Sequence, residues 1–236
     1  MWTVVGAVAI GTIGSMLVGQ AGRRRPAPGR GSRTPRISVA PVSICVTKGA
    51  LLAGGRVEDP TFRGVAVGTS GQAAAIVFSY EGPSRGTRAL GSGQIRRQIG
   101  LKLKAQDGCN LVYAMWRLDP RPRIEVSTKI NPGSRTHAEC GTRGYAKVNP
   151  DYQGNVPALS PGEQHWMQAE IVDDALAVWV DGQLAWQGQI PAQARYVDGP
   201  SGMRSDNIGY RILGFYAPRT RSAGSMSFEC VHGGED

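Results

Sequence analysis

The sequence predicts an all-β fold, a sandwich of two antiparallel sheets, on three observations. Gly 33 and Pro 15 together take about a fifth of the 236 residues, where average usage is near an eighth, which argues against a helical bundle. Beyond residue 40 no window longer than about ten residues keeps a 3.6-residue apolar period, whereas period-two stretches recur between turn residues. A hydrophobic fraction of 41% supplies one sizeable core, which suits a single domain over residues 41–236 and excludes a disordered chain.

The elements follow in order. Residues 2–18, WTVVGAVAIGTIGSMLV, are apolar almost throughout. That length is the lower limit for spanning a bilayer and long for the core of a signal peptide. The triplet Gly19-Gln20-Ala21 offers a cleavage site, whereas Arg23-Arg24-Arg25 would keep the following chain on the cytoplasmic side of a retained anchor. Residues 1–21 are thus expected to be a signal peptide or membrane-anchoring N-terminal helix. Residues 22–40, mixing Arg, Pro, Gly and Ser, form a basic linker. The net charge is +9, yet residues 1–40 hold six arginines and no acid, so residues 41–236 net only about +3. The basic balance belongs to the tail, which tells against nucleic acid as a partner.

Within the domain, strands are expected at 37–46, 62–67, 73–80, 94–105, 110–117, 123–130, 144–148, 165–172, 175–180, 184–189, 208–216 and 225–230. In 94–105, Ile99, Leu101 and Leu103 face a core, with Gly100, Lys102 and Lys104 on a wet face. The best-defined unit is a three-stranded meander over 165–189. Met167, Ala169 and Ile171 alternate with polar neighbours, Asp173-Asp174 turns the chain into Leu176, Val178 and Val180, and Asp181-Gly182 turns it again.

Four cysteines, Cys45, Cys109, Cys140 and Cys230, with no Cys-x-x-Cys, suit disulfides better than zinc or redox chemistry. Three connectivities are open. The preferred one joins Cys109 to Cys140, on neighbouring strands, and Cys45 to Cys230, which ties the first strand to the last. Disulfides imply export to the periplasm, the cell surface or the medium, with the apolar segment cleaved or kept as a tether.

The string EQHWMQAEIVDDALAVWVDGQLAWQG, followed by DGPSGMRSDNIGYRILGFYAP, resembles the C-terminal half of concanavalin A-like lectin/glucanase domains of the LamG-like jelly-roll kind. The resemblance rests on Trp166, on 178–182 with its Val-x-Val-Asp-Gly pattern, on 184–187, and on a Gly- and Asp/Asn-containing loop at 202–207 leading into 208–215. It implies a concave sheet face able to hold a sugar chain, and rim loops that in some members hold calcium, for which Asp206 and Asn207 are the candidates. No Asp-x-Asp cluster of hard-cation spacing accompanies them, so no cofactor is expected besides that calcium.

The densest polar cluster lies over 131–145, where His137, Glu139, Arg143 and Tyr145 fall within nine positions around Cys140. Such a group fits β-elimination on a uronate, with Arg143 neutralising the carboxylate, His137 or Tyr145 removing the proton and Tyr145 protonating the leaving oxygen. The lyase motifs Arg-x-Glu-x-Arg and Gln-Ile-His are absent, and Gln94-Ile95-Arg96 carries Arg where the His would stand. No paired carboxylates of a glycosidase strand appear. The one match to a serine elbow, Gly82-Pro83-Ser84-Arg85-Gly86, precedes no helix and is a turn. For sugar stacking the candidates are Tyr113, Trp116, Trp166, Trp179, Trp186 and Tyr210, with Trp116 and Trp179 foremost, beside a basic row of Arg96, Lys102 and Lys104.

The reading is therefore a carbohydrate-binding or adhesion module without catalysis, its partner a polysaccharide or glycan. One alternative is a polysaccharide-degrading enzyme, lyase before hydrolase, built on the 137–145 cluster. The other is a structural component of an envelope or extracellular assembly, with copies associating through Gly6, Gly11, Ser15 and Gly19 of a membrane-retained segment.

Overall fold

A computed structural model describes residues 35–220 and residue 230. The apolar segment, most of the linker and the strand expected at 225–230, Cys230 apart, lie outside the described residues.

The domain is a jelly-roll β-sandwich of fifteen strands among the described residues. They are β1 (Ala40–Pro41), β2 (Cys45–Lys48), β3 (Arg56–Val57), β4 (Thr61–Ala66), β5 (Ala73–Pro83), β6 (Gln98–Leu103), β7 (Leu111–Arg117), β8 (Arg123–Lys129), β9 (Tyr145–Val148), β10 (Tyr152–Gln153), β11 (Gln164–Val172), β12 (Ala175–Val180), β13 (Gln183–Gln189), β14 (Ser201–Asp206) and β15 (Ile208–Ala217). One sheet runs β1-β15-β5-β11-β12-β13-β10, with β3 also on β15, and the other runs β2-β4-β14-β6-β7-β8-β9. Every strand pair is antiparallel.

The alternation read from the sequence sorts the side chains. Ile99, Leu101 and Leu103 of β6, Val112, Ala114 and Trp116 of β7, and Ile124 and Val126 of β8 point inward. They meet Ile76, Phe78, Met167, Ala169, Leu176 and Val178 of the eight-stranded sheet in one core. Trp116 stands edge-on to Phe78 at 6.0 Å and to His165 at 5.3 Å. The two turns of the meander are as expected: Asp173 and Asp174 take φ of 50° and 65°, Asp181 and Gly182 take 48° and 81°, the pattern of two-residue hairpins. Between β6 and β7 the backbones approach so closely that a Cβ on Gly100 would meet the Ala114 carbonyl oxygen at 2.1 Å.

Two expectations are corrected. The 202–207 segment read as a loop is strand β14, at the centre of the seven-stranded sheet between β4 and β6. Its glycine and polar residues masked the alternation of buried Met203 and Ser205 with Arg204 and Asp206. The other face of β6 is not wet, because Lys102 and Lys104 are 5% and 7% exposed.

Both preferred disulfides are present. Cys45 of β2 joins Cys230 across 5.2 Å between Cα atoms, and Cys109 joins Cys140 across 6.0 Å. The second closes 31 residues and fastens the chain after β8 to the β6–β7 turn. Alkylation of the folded protein without reductant is expected to label no thiol. Changing Cys109 and Cys140 together to Ser is expected to lower unfolding stability by about 3 kcal/mol in a denaturant titration. Four alkylatable thiols, or no loss of stability, would contradict this role.

Candidate functional site

The outer face of the seven-stranded sheet carries a groove of about 810 Å³. Its floor is made of residues one step out of phase with the core. Arg63 of β4 pairs in register with Arg204 of β14, and Arg204 with Gly100 of β6. Lys102 of β6 pairs with Tyr113 of β7, Tyr113 with Ser127 of β8, and Lys129 of β8 with Tyr145 of β9. Leu111, Tyr113 and Met115 form a small apolar strip along this floor.

Asp206 organises the charged end. It is 1% exposed, its Oδ1 accepts from Arg63 Nη2 at 2.7 Å, and its Oδ2 accepts from Arg204 Nε at 2.8 Å and Gln98 Nε2 at 2.6 Å. Burial pushes its carboxyl upward, but the two guanidiniums and these hydrogen bonds outweigh it and hold the group below the ordinary carboxylate range. Glu125 meets Arg96, Arg117 and Arg123 at 3.3–3.4 Å. Asp107 accepts from the N–H groups of Cys109 and Asn110 and from Asn110 Nδ2. Each carboxylate of the groove is thus held by cations or amides.

Above the floor stand two tyrosines. The rings of Tyr113 and Tyr145 stack at 6.0 Å with 20° between planes. Tyr113 is buried and Tyr145 is 44% exposed, so Tyr145 is the member of the pair that solvent reaches. Arg204 Nη1 donates to Tyr145 Oη at 3.3 Å, and Lys129 Nζ lies 5.3 Å from the Tyr145 ring centre. Burial pushes the Tyr113 hydroxyl up to about 12. Burial also pushes the Tyr145 hydroxyl up, but Arg204 and Lys129 favour its phenolate and the net shift is downward.

His137 and Tyr145, eight residues apart, are brought to this groove, and the other two members of the cluster are not. Thr136 and Glu139 form the capping box of a single helical turn, α1 (His137–Cys140), with the Glu139 carboxylate accepting from the N–H groups of Arg135 and Thr136 at 2.7 and 2.8 Å. Arg143 donates to the carbonyls of Cys140 and Glu139 at the far end of that turn. Glu139 and Arg143, named for the alternative enzyme reading, thus hold this helical turn and do not line the groove. His137 Nδ1 lies 3.5 Å from Lys129 Nζ, which itself donates to the Gly108 carbonyl at 3.0 Å. Burial and then Lys129 lower the His137 pKa below its usual 6.5, so the ring is neutral at pH 7.

The remaining expected residues divide in the same way. Trp116 is fully buried between the sheets and presents no face to a ligand. Trp179 is on the outward row of the eight-stranded sheet, as its parity indicated, but is 2% exposed and remote from the groove strands. Lys102 and Arg96 line the groove. Lys104 turns away at the end of β6 and donates to the carbonyls of Ala194 and Arg195. The calcium candidates are otherwise engaged: Asp206 by its guanidiniums, and Asn207 by the backbone of Arg88 and Arg96. No cluster of three or more His, Cys, Asp or Glu placed to hold a metal occurs among the described residues. Tyr113 was among the stacking candidates of the sequence, whereas Arg63, Arg204 and Lys129 were not singled out as ligand residues. Their signal is the polar row opposite each apolar row on β6, β7 and β8.

In an ultraviolet titration one tyrosine is expected to ionise below the ordinary value of 10, and to vanish in Tyr145→Phe. Tyr113 should follow only near 12. A profile in which no tyrosine ionises early, or in which Tyr145→Phe removes none, would contradict the placement of Tyr145 beside Arg204.

No family model matches the sequence, and no curated protein sequence matches it. Solved structures do. The carbohydrate-binding module CBM66 from Bacillus subtilis superposes with a TM-score of 0.49 at 11% identity, covering 76% of this chain and 95% of that one. A tetrameric galectin from the ball sponge Cinachyrella gives 0.42 at 11% identity over 67% of this chain and 99% of that one. CG-16, a homodimeric agglutinin from chicken liver, gives 0.40 at 10% over 66% and 99%.

Proposed function

We propose that the protein is an exported, non-catalytic glycan-binding module whose ligand lies along the groove of the seven-stranded sheet. The observation that carries this reading is the groove itself: a recess of about 810 Å³ across several adjacent strands, lined by the exposed Tyr145 ring stacked on Tyr113. A pyranose has one apolar face and a rim of hydroxyls. An aromatic platform beside fixed donors and acceptors matches both. Export is supported by the two disulfides, which persist in oxidising compartments.

One observation favours a second reading, β-elimination on a uronate chain. Tyr145 combines a lowered pKa with an Arg204 contact inside the groove, as an acid–base group requires. In that reading Arg204 takes the carboxylate-neutralising part expected of Arg143.

Retention of the full-length protein on a panel of immobilised neutral and acidic polysaccharides, scored together with the appearance of new chain ends, tests both. Binding without new ends is expected, with Tyr145→Ala weakening retention by about tenfold. New unsaturated ends that disappear in Tyr145→Phe would replace the module with the lyase. Absence of binding to every polymer would remove the glycan reading.

A further inference from the structure

The groove concentrates the domain's positive charge. Nine lysines and arginines line it against three carboxylates. Residues 41–236 hold 21 cationic and 18 acidic side chains, so the rest of the domain is left with 12 against 15 and is net negative. A field of one sign inside a recess raises the local concentration of ligands of the other.

Of the buried cations in that field, one has no counterpart among the described residues. Lys102 lies at the centre of the floor, on β6 between Gly202 of β14 and Tyr113 of β7. It is 5% exposed, yet its amine makes no hydrogen bond or ion pair with any described residue. The three carboxylates of the groove are engaged elsewhere: Asp206 by Arg63 and Arg204, Glu125 by three arginines, Asp107 by its own turn. Burial, then Arg63 and Arg204, hold the Lys102 amine well below its ordinary proton affinity. The side chain is packed into the sheet and lines the groove, so an amine with no acceptor in the protein is left to one supplied from the groove.

We propose that Lys102 is the anion-docking residue of the groove, and that the ligand is an acidic sugar chain whose carboxylate or sulfate ester seats on Lys102 between Arg63 and Arg204. This rests on the glycan-binding reading and names the class of glycan. The anion supplies the acceptor that Lys102 lacks. It also offsets the excess of two guanidiniums over the single carboxylate of Asp206.

Calorimetric titration of the full-length protein with three polymers of one backbone tests the assignment: a polyuronate, the same polymer with its carboxyls reduced to alcohols, and that reduced polymer sulfated. One of the charged polymers is expected to bind about tenfold or more tightly than the reduced one, the tighter of the two identifying the anion. Lys102→Met removes an amine that has no partner in the fold. It is expected to fold with unchanged or higher stability and to abolish the preference of the groove for the charged polymer over the reduced one. Equal affinity for all three polymers, or a preference that survives Lys102→Met, overturns the anion site while leaving a glycan-binding groove. Binding of none of them removes the glycan reading and this inference with it. The arginine-rich linker attracts polyanions on its own, so a synthetic peptide of residues 22–40 is titrated alongside. A preference that the peptide reproduces in full overturns the assignment, whether or not Lys102→Met folds.

Discussion

The carboxylate of Asp206 lets two guanidiniums occupy the floor of one sheet. Arg63 and Arg204 are direct neighbours in the β4–β14 register, and their side chains are only 17% and 12% exposed. Without a shared anion that pairing would leave like charges facing each other away from water. Removing one partner of such a cluster typically costs about 3–5 kcal/mol. Once Asp206 fixes Arg204, the position of Tyr145 follows, because the guanidinium both donates to its hydroxyl and lies 5.1 Å from the Tyr113 ring on which Tyr145 stacks. This side of the groove is built outward from that one carboxylate.

A second constraint holds the opposite wall. The chain between β8 and β9 is pinned by the Cys109–Cys140 bridge, by Asn131 donating to the carbonyls of Cys109 and Arg143, and by the Thr136–Glu139 capping box. This explains why, of the four clustered residues, His137 and Tyr145 reach the groove and Glu139 and Arg143 do not. The latter two are consumed in shaping the loop. Rigid walls and a preorganised floor reduce the ordering entropy that binding must overcome.

Much of the fold was legible because period-two alternation and Asp-containing two-residue turns act locally. The meander from β11 to β13, with turns at Asp173-Asp174 and Asp181-Gly182, is the clearest case. The exclusion of a helical bundle and the pairing of the cysteines were also readable from the chain. Strand β14 was not, since Gly202, Ser205 and Asp206 carry little strand propensity and their extended form is imposed by β4 and β6 on either side. The loop reading carried over to the site, where Asp206 and Asn207 were weighed as calcium candidates and Arg204 was passed over. Trp116 and Tyr113 illustrate a related difficulty. Their opposite parities were evident, but which face the second sheet covers depends on long-range packing. Val112 and Ala114 share the Trp116 face, whereas Arg117 shares the Tyr113 face, and that polar end marks the open side.

The account's central claim is that ligand meets the outer face of the seven-stranded sheet around Lys102, Arg204 and Tyr145. Backbone amide chemical-shift mapping with a short uronate oligosaccharide tests it most directly. The account predicts perturbations concentrated on β14, β6, β7 and β9 and centred on those three residues. Perturbations confined to the eight-stranded sheet, or a spectrum unchanged by saturating oligosaccharide, would contradict it.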